Sequence, residues 1–181
     1  MKPIFKPQTE WIPPESFPDL SKYDEIAIDL ETKDTELKTM GSGSVTGKGH
    51  IVGIAVAVHD WSGYYPIRHE GGGNMDKSMV IKWFQGVLNT TAIKIFHNGM
   101  YDVCFIRAEG LKIQGVIVDT MIAGSLVDEN RFRYDLGSLG RDYVGIGKNE
   151  AVLKETADHW GIDAKSEMYK LPAMYVGEYA E

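Results

Sequence analysis

The sequence predicts an α/β fold, a mixed sheet flanked by helices. Residues 25–30 alternate strictly, and two further strand-like runs follow at His50–Val58 and at 63–68, split by a turn around Asp60 and Gly63. From Asp76 onward, segments with apolar residues at helical spacing take turns with short strands. Three early strands in a meander, then strands alternating with helices, require both antiparallel and parallel pairing under a cover of helices. The 181 residues, 43% of them hydrophobic, suffice for one core and not for two.

Each element has a local reason. Pro3, Pro7, Pro13, Pro14 and Pro18 lack donors and resist helices and central strands, so residues 1–22 are expected to form an extended N-terminal arm before a domain spanning 23–181. In 25–30, Ile26, Ile28 and Leu30 share one face, whereas Ala27 and Asp29, with Glu31 just beyond, share the other. Residues 32–50, with Gly41, Gly43, Gly47 and Gly49, read as a long flexible loop; their spacing does not match a phosphate-cradling Walker loop. Asp76 can cap a helix to about Leu88, with Val80, Ile81, Phe84, Val87 and Leu88 on its inner face. Then come a strand over 92–97, a helix from Asn98 or Gly99 to Glu109 and a strand near 116–118. A helix over 121–127 is capped by Asp119 or Thr120. Helical segments are expected over 136–144, 150–160 and from about Ala173.

Charge and composition exclude several classes. A formal charge of −7 and a pI near 5.2 argue against a protein gripping duplex DNA over many phosphates, because counterion release needs a basic surface. A metal-dependent site escapes that objection, since ions bring positive charge to the phosphate. Cys104 is the single cysteine, so neither an internal disulfide nor a Cys/His zinc cluster is expected, and a reducing cytosol fits. The longest apolar run, residues 51–58, falls far short of a bilayer span, and the first residues lack the apolar core of a signal peptide. No membrane partner is expected.

Three constellations carry chemistry. Asp29 and Glu31, two apart at the end of the first strand, project to the same side, where such a pair suits magnesium or manganese. A solvated strand edge is the plainer alternative. Asn98 and Asp102 follow a strand and share a helix face if both are helical, unless Asn98 is the helix cap. Asp102 lies among Tyr101, Val103, Cys104, Phe105 and Ile106 and so needs a partner, either a metal or a hydrogen bond. The third constellation is the C-terminal segment bearing Tyr175, Glu178, Tyr179 and Glu181.

Asp-x-Glu, then Asn-x-x-x-Asp, then a terminal tyrosine-bearing helix resemble the three motifs of the DEDDy 3′-5′ exonucleases. The stretch from Asp128 through Arg131, Tyr134, Leu136, Leu139 and Gly145, with Asp119-Thr120 and the early Trp11-Ile12-Pro13-Pro14, resembles the proofreading domains of phage family A DNA polymerases. The resemblance implies an RNase H-like fold. It implies excision of nucleotides from a single-stranded DNA 3′ end by a two-ion mechanism with Mg2+ or Mn2+, and a polymerase domain downstream. The expected location is the cytoplasm of a bacterium or phage-infected cell.

Carried over residue by residue, the resemblance makes Asp29, Glu31 and Asp102 metal ligands. Thr32 and Asn98 contact the terminal nucleotide, and Tyr179 orients the attacking water. Tyr179 fits Tyr-x-x-x-Asp better than Tyr175, whose fourth following residue is Tyr179 itself. The expected aspartate would fall two residues beyond Glu181, so the chain is read as truncated before the end of its last motif and as feebly active or inactive by itself. Neither Glu178 nor Glu181 lies one turn beyond a tyrosine. Lys33, Lys38, Lys48, Arg131 and Arg133 are candidate phosphate contacts. Two other readings compete: an RNA-trimming exonuclease of the ribonuclease D type, and a non-catalytic remnant serving as a structural or interaction domain.

Overall fold

The computed structural model describes residues 9–181. Of the predicted arm, residues 1–8, with Pro3 and Pro7, lie outside the described residues. The part from Thr9 to Lys22 has no helix or strand, as its prolines require. It is nevertheless fastened to the domain: Trp83 Nε1 donates to the Pro18 carbonyl at 2.9 Å, the Tyr65 hydroxyl donates to the Ser16 carbonyl at 2.9 Å, and Phe17 stacks on Tyr65.

Five strands form one sheet in the order β3-β2-β1-β4-β5. β1 (Glu25–Lys33), β2 (His50–Val58) and β3 (Trp61–Pro66) form the antiparallel meander, and β4 (Ile93–Phe96) and β5 (Ile117–Asp119) add in parallel on the other side of β1. The mixed sheet is as predicted. β1 runs to Lys33 rather than stopping at Leu30, because β2 is long enough to pair with it. A bulge interrupts that pairing: Glu31 faces Gly53, Thr32 faces Ile51, and Val52 is the extra residue.

The predicted loop after β1 is not a flexible connection. It holds two short turns, α1 (Leu37–Met40) and α2 (Gly43–Thr46), and both carboxylate oxygens of Asp34 accept from the Gly43 amide. A Cβ on Gly43 would lie 2.6 Å from the Gly49 Cα, so these glycines are there to let two backbones touch. α3 (Lys77–Leu88) begins as predicted, with Asp76 accepting from the Met79 amide at 2.9 Å, and buries Val80, Phe84, Val87 and Leu88. α4 (Gly99–Ala108) and α5 (Thr120–Val127) follow, the latter capped by Asp119. The predicted helix over 136–144 divides into α6 (Leu136–Leu139) and a π-turn over Gly140–Val144. α7 (Ala151–Trp160), 3-10 turns at Met168–Lys170 and Ala173–Tyr175, and α8 (Gly177–Ala180) complete the chain.

Both faces of the sheet are used. Ile26, Ile28 and Leu30 pack with Ile54, Val56, Phe84, Phe105 and Ile106 in the main core. On the opposite face Ala55 and Tyr64 meet Leu153, Met168, Leu171, Val176 and Ala180 in a second cluster, with Trp11 of the arm and Tyr179 against it. The face of β1 that carries the acids is therefore covered by the C-terminal third of the chain. His69 helps to hold that cover: its Nδ1 is 3.0 Å from the Leu171 carbonyl and its Nε2 is 2.7 Å from the Tyr64 hydroxyl, and burial lowers its pKa to about 4.

Lys94 is a buried cation in β4 whose ammonium donates to the carbonyls of Thr90, Ala92 and Gln114, joining the entries to β4 and β5. Removing it leaves the buried Ala92 carbonyl, and the part-buried carbonyls of Thr90 and Gln114, without this donor, at about 1–3 kcal/mol for the buried one and less for the others. Lys94→Met is accordingly expected to lower the unfolding free energy by ~3 kcal/mol or more in urea titration. A change within ~0.5 kcal/mol would mean that water replaces the ammonium without loss.

Candidate active site

Asp29 and Glu31 reach the site because β1 alternates and then bulges. Asp29 is half-buried and Glu31 is buried at 8% exposure, so the pair is no solvated strand edge. Asp102 comes from the first turn of α4 and is 3% exposed. Its Oδ1 accepts from the Leu30 amide at 3.1 Å, beyond the part of β1, Glu25–Ala27, that β4 pairs. The hydrogen bond that the sequence left open as a partner for Asp102 thus exists, and it ties the helix carboxylate to the strand that carries the other two.

Asp29, Glu31 and Asp102 line one cleft of about 450 Å3 together with Thr32, Asn98 and Tyr179. Electrostatics register their proximity. Burial, then the charges of Asp29 and Asp102, push the Glu31 carboxyl up to about 8. Burial, then Asp29, does the same to Asp102, and burial raises Asp29 against the pull of Lys148 and His97. Yet among the described residues no group of three His, Cys, Asp or Glu side chains is placed to hold a metal ion. The carboxylates share a cleft without forming a ready-made cage.

The expected helix face joining Asn98 to Asp102 is not formed. Asn98 precedes α4 in the left-handed region (φ 61°, ψ 42°) and makes no side-chain cap. Its amide and that of Gly99 instead donate to Asp119 at 3.0 and 2.7 Å, and the same carboxylate caps α5 through the Met121 amide at 2.9 Å. Burial opposes ionisation of Asp119, but these amides prevail and hold its pKa low. Asparagine tolerates left-handed backbone better than most residues, and here it turns β4 into α4 at the rim of the cleft. The shared face gives way to this geometry, and the cap alternative holds in position only: Asn98 is the N-cap residue of α4 without a side-chain cap bond.

α8 separates the two tyrosines. Tyr179 lines the cleft, whereas Tyr175 is buried outside it. Burial, then Glu31 and Asp29, raise the Tyr179 pKa, so the phenol keeps its proton at neutral pH. Glu178 accepts from the Thr9 hydroxyl at 2.6 Å. Glu181 accepts from Trp11 Nε1 at 2.8 Å and from the Ser62 hydroxyl at 3.0 Å. Both acids bind the arm to α8, and a Cβ on Gly177 would lie 2.0 Å from the Trp11 ring, so glycine there admits the indole. Thr32 is 2.9 Å from the Tyr101 hydroxyl, which donates to Asp34 at 3.0 Å.

None of Lys33, Lys38, Lys48, Arg131 and Arg133 lines the cleft; Lys33 pairs with Glu70, Lys48 with Glu36 and Arg131 with Asp142. The basic residues that do line it are Lys148 and Lys165, which sequence reasoning passed over because each lies in an irregular segment with no periodicity to give it a direction.

A 3′-5′ exonuclease family model matches residues 7–181. The chain belongs to that family. This exonuclease domain is 34% identical over 180 residues to a DNA-directed DNA polymerase of Pseudomonas phage M6, a match covering 96% of this chain and 27% of the phage protein. It is 28% identical over 126 residues to DNA polymerase I of Borreliella burgdorferi, covering 69% of this chain and 13% of that polymerase. The domain thus spans about a quarter of the phage relative or less of the bacterial one. Its fold is shared with Brucella melitensis NrnC with bound Mg2+ (TM-score 0.52, 16% identity, 84% of this chain and 83% of that one) and with Escherichia coli RNase D (TM-score 0.51, 15% identity, 86% and 37%). It is a DEDD-type 3′-5′ exonuclease domain on an RNase H-like α/β fold, related to those of family A DNA polymerases. Among the described residues no helix is long and apolar enough to cross a membrane.

Proposed function

We propose that this domain hydrolyses the last phosphodiester at the 3′ end of single-stranded DNA, as the proofreading part of a family A polymerase whose polymerase domain follows it. The observation that carries the reading is the gathering of Asp29, Glu31, Asp102 and Tyr179 from three separate elements around one cleft.

Asp29, Glu31 and Asp102 are the residues that would hold two magnesium or manganese ions. Their donor chemistry fits: all are hard oxygen ligands, and burial raises the pKa of each. The chemistry such ions supply when bound is a lowered water pKa and positive charge for the phosphate and the leaving oxygen. Tyr179, protonated throughout, orients the nucleophilic water through its hydroxyl and removes no proton. Thr32 and Asn98, at the cleft's edge, meet the terminal nucleotide. With an acidic surface the domain grips few phosphates, so it binds a frayed end and leaves duplex alone.

The test is degradation of 5′-labelled oligonucleotides with manganese. Single strands are expected to shorten from the 3′ end faster than blunt duplex and faster than RNA of the same sequence. Faster loss of RNA would favour the ribonuclease D-type reading, and no loss of either by the domain within its full polymerase chain would favour a structural role.

A further inference from the structure

Lys148 stands where the mechanism has assigned nothing. It lies between the π-turn and α7, and its Nζ reaches over the cleft to within 3.4 Å of the Tyr179 hydroxyl and 5.0 Å of that ring's centroid. It lines both the carboxylate cleft and the adjoining cavity of about 270 Å3, which also touches Asp29, His97 and Tyr179. Its charge lowers the pKa of Asp29 and of Glu31, against the larger effect of burial. Among the described residues no carboxylate lies within ion-pair distance of it. Lys165, the other cation of the cleft, stands 3.7 Å from Glu150, and Lys33, Lys48 and Arg131 are paired elsewhere.

An unpaired ammonium beside buried acids and a phenol has two consequences. Because Lys148 donates to the Tyr179 oxygen, the phenolic proton is directed away from the lysine and remains available as a donor. Ammonium and phenol then present adjacent donors, one charged, to any tetrahedral oxyanion entering over Asp29. Carboxylates would repel that anion; Lys148 is the side chain here with the charge and the flexible reach to receive it.

We propose that Lys148 binds the phosphate of the 3′-terminal nucleotide, pairing with a non-bridging oxygen while it holds the Tyr179 hydroxyl in place. This rests on the exonuclease reading and assigns it a phosphate contact. A charge-assisted hydrogen bond of this type corresponds to about a tenfold or larger change in affinity.

The probe is thymidine 5′-monophosphate in the presence of magnesium, with thymidine as the phosphate-free control, each titrated calorimetrically against the 181-residue protein. Wild type is expected to prefer the monophosphate. Lys148→Met should weaken monophosphate binding ~10-fold and leave thymidine binding unchanged, whereas Lys148→Arg should restore most of the loss. Lys165→Met, which removes equal charge from a paired lysine, should change little. A K148M variant that binds the monophosphate as wild type does overturns the proposal, as does equal loss in K165M, which would reduce the effect to general charge. If wild type degrades single strands but K148M keeps its nucleotide affinity, the lysine's role fails and the exonuclease reading stands. If the nucleotide contrast holds but no strand is degraded even by the domain within its full polymerase chain, the phosphate site stands and the exonuclease reading fails.

Discussion

Asp29→Asn and Asp102→Asn are each expected to lower single-strand degradation by on the order of 10²–10³-fold or more while leaving the fold as stable as the parent or more so. The two effects have one cause. Asp29 raises the pKa of both Glu31 and Asp102, so at neutral pH its charge works against the buried site that it serves. Replacing it with a neutral isostere removes that repulsion and should add ~1 kcal/mol at pH 8. Asp102→Asn keeps an oxygen for the Leu30 amide, whereas Asp102→Ala leaves that amide without its acceptor and should cost about 1–3 kcal/mol. The asparagine variants therefore separate chemistry from folding. Activity assays and urea melts on the same preparations check this. Retention of more than about a tenth of the parental rate would remove Asp29 or Asp102 from the proposed machinery.

Stability is expected to depend on pH in opposite ways with and without a divalent ion. Glu31 and Asp102 both titrate at about 8 in the folded protein, far above the usual carboxylate range. The folded state then binds more protons than the unfolded state between about pH 4.5 and 8, so stability falls as pH rises through that window. One such carboxylate alone makes the loss on the order of 5 kcal/mol, equivalent in a chain of this length to a Tm lower by roughly 10–20 °C. Manganese competes with those protons, so its stabilisation should be small at pH 5.5 and large at pH 8. Glu31→Gln should remove roughly half of the metal-free dependence, the rest staying with Asp102, and abolish most of the manganese response. Thermal melts across this range, with and without the ion, decide the matter. A manganese shift that is independent of pH and survives in the glutamine variant would place the ion elsewhere.

The strands and the inner helices were legible because their signals are local. Alternation in β1, the unbroken apolar run of β2, the 3.6-residue spacing of α3 and the aspartate caps at Asp76 and Asp119 are properties of a few neighbouring residues, and each holds in the structure. The spacing of Asp29, Glu31 and Asp102 belongs to the same class, since two residues on one strand and one in the first turn of a later helix follow from backbone periodicity. Segments with weak periodicity were misread. The glycines of 41–49 speak of flexibility, but Asp34 and the contact of Gly43 with Gly49 fold them into turns.

What the sequence by itself determined is an α/β chain with a mixed sheet, the inner faces of β1 and α3, and the carboxylates that end up in one cleft. Tertiary structure alone decided how those groups are surrounded. The C-terminal third lies over the acidic face of β1 and buries Glu31; Asp119 bends Asn98 into the left-handed turn; and an irregular segment delivers Lys148 to the phenol. The physical reason is range. Backbone periodicity acts over a few residues and is written in the order of side chains, whereas burial and charge are sums over groups distant in sequence, here as far apart as Glu31 and Tyr179.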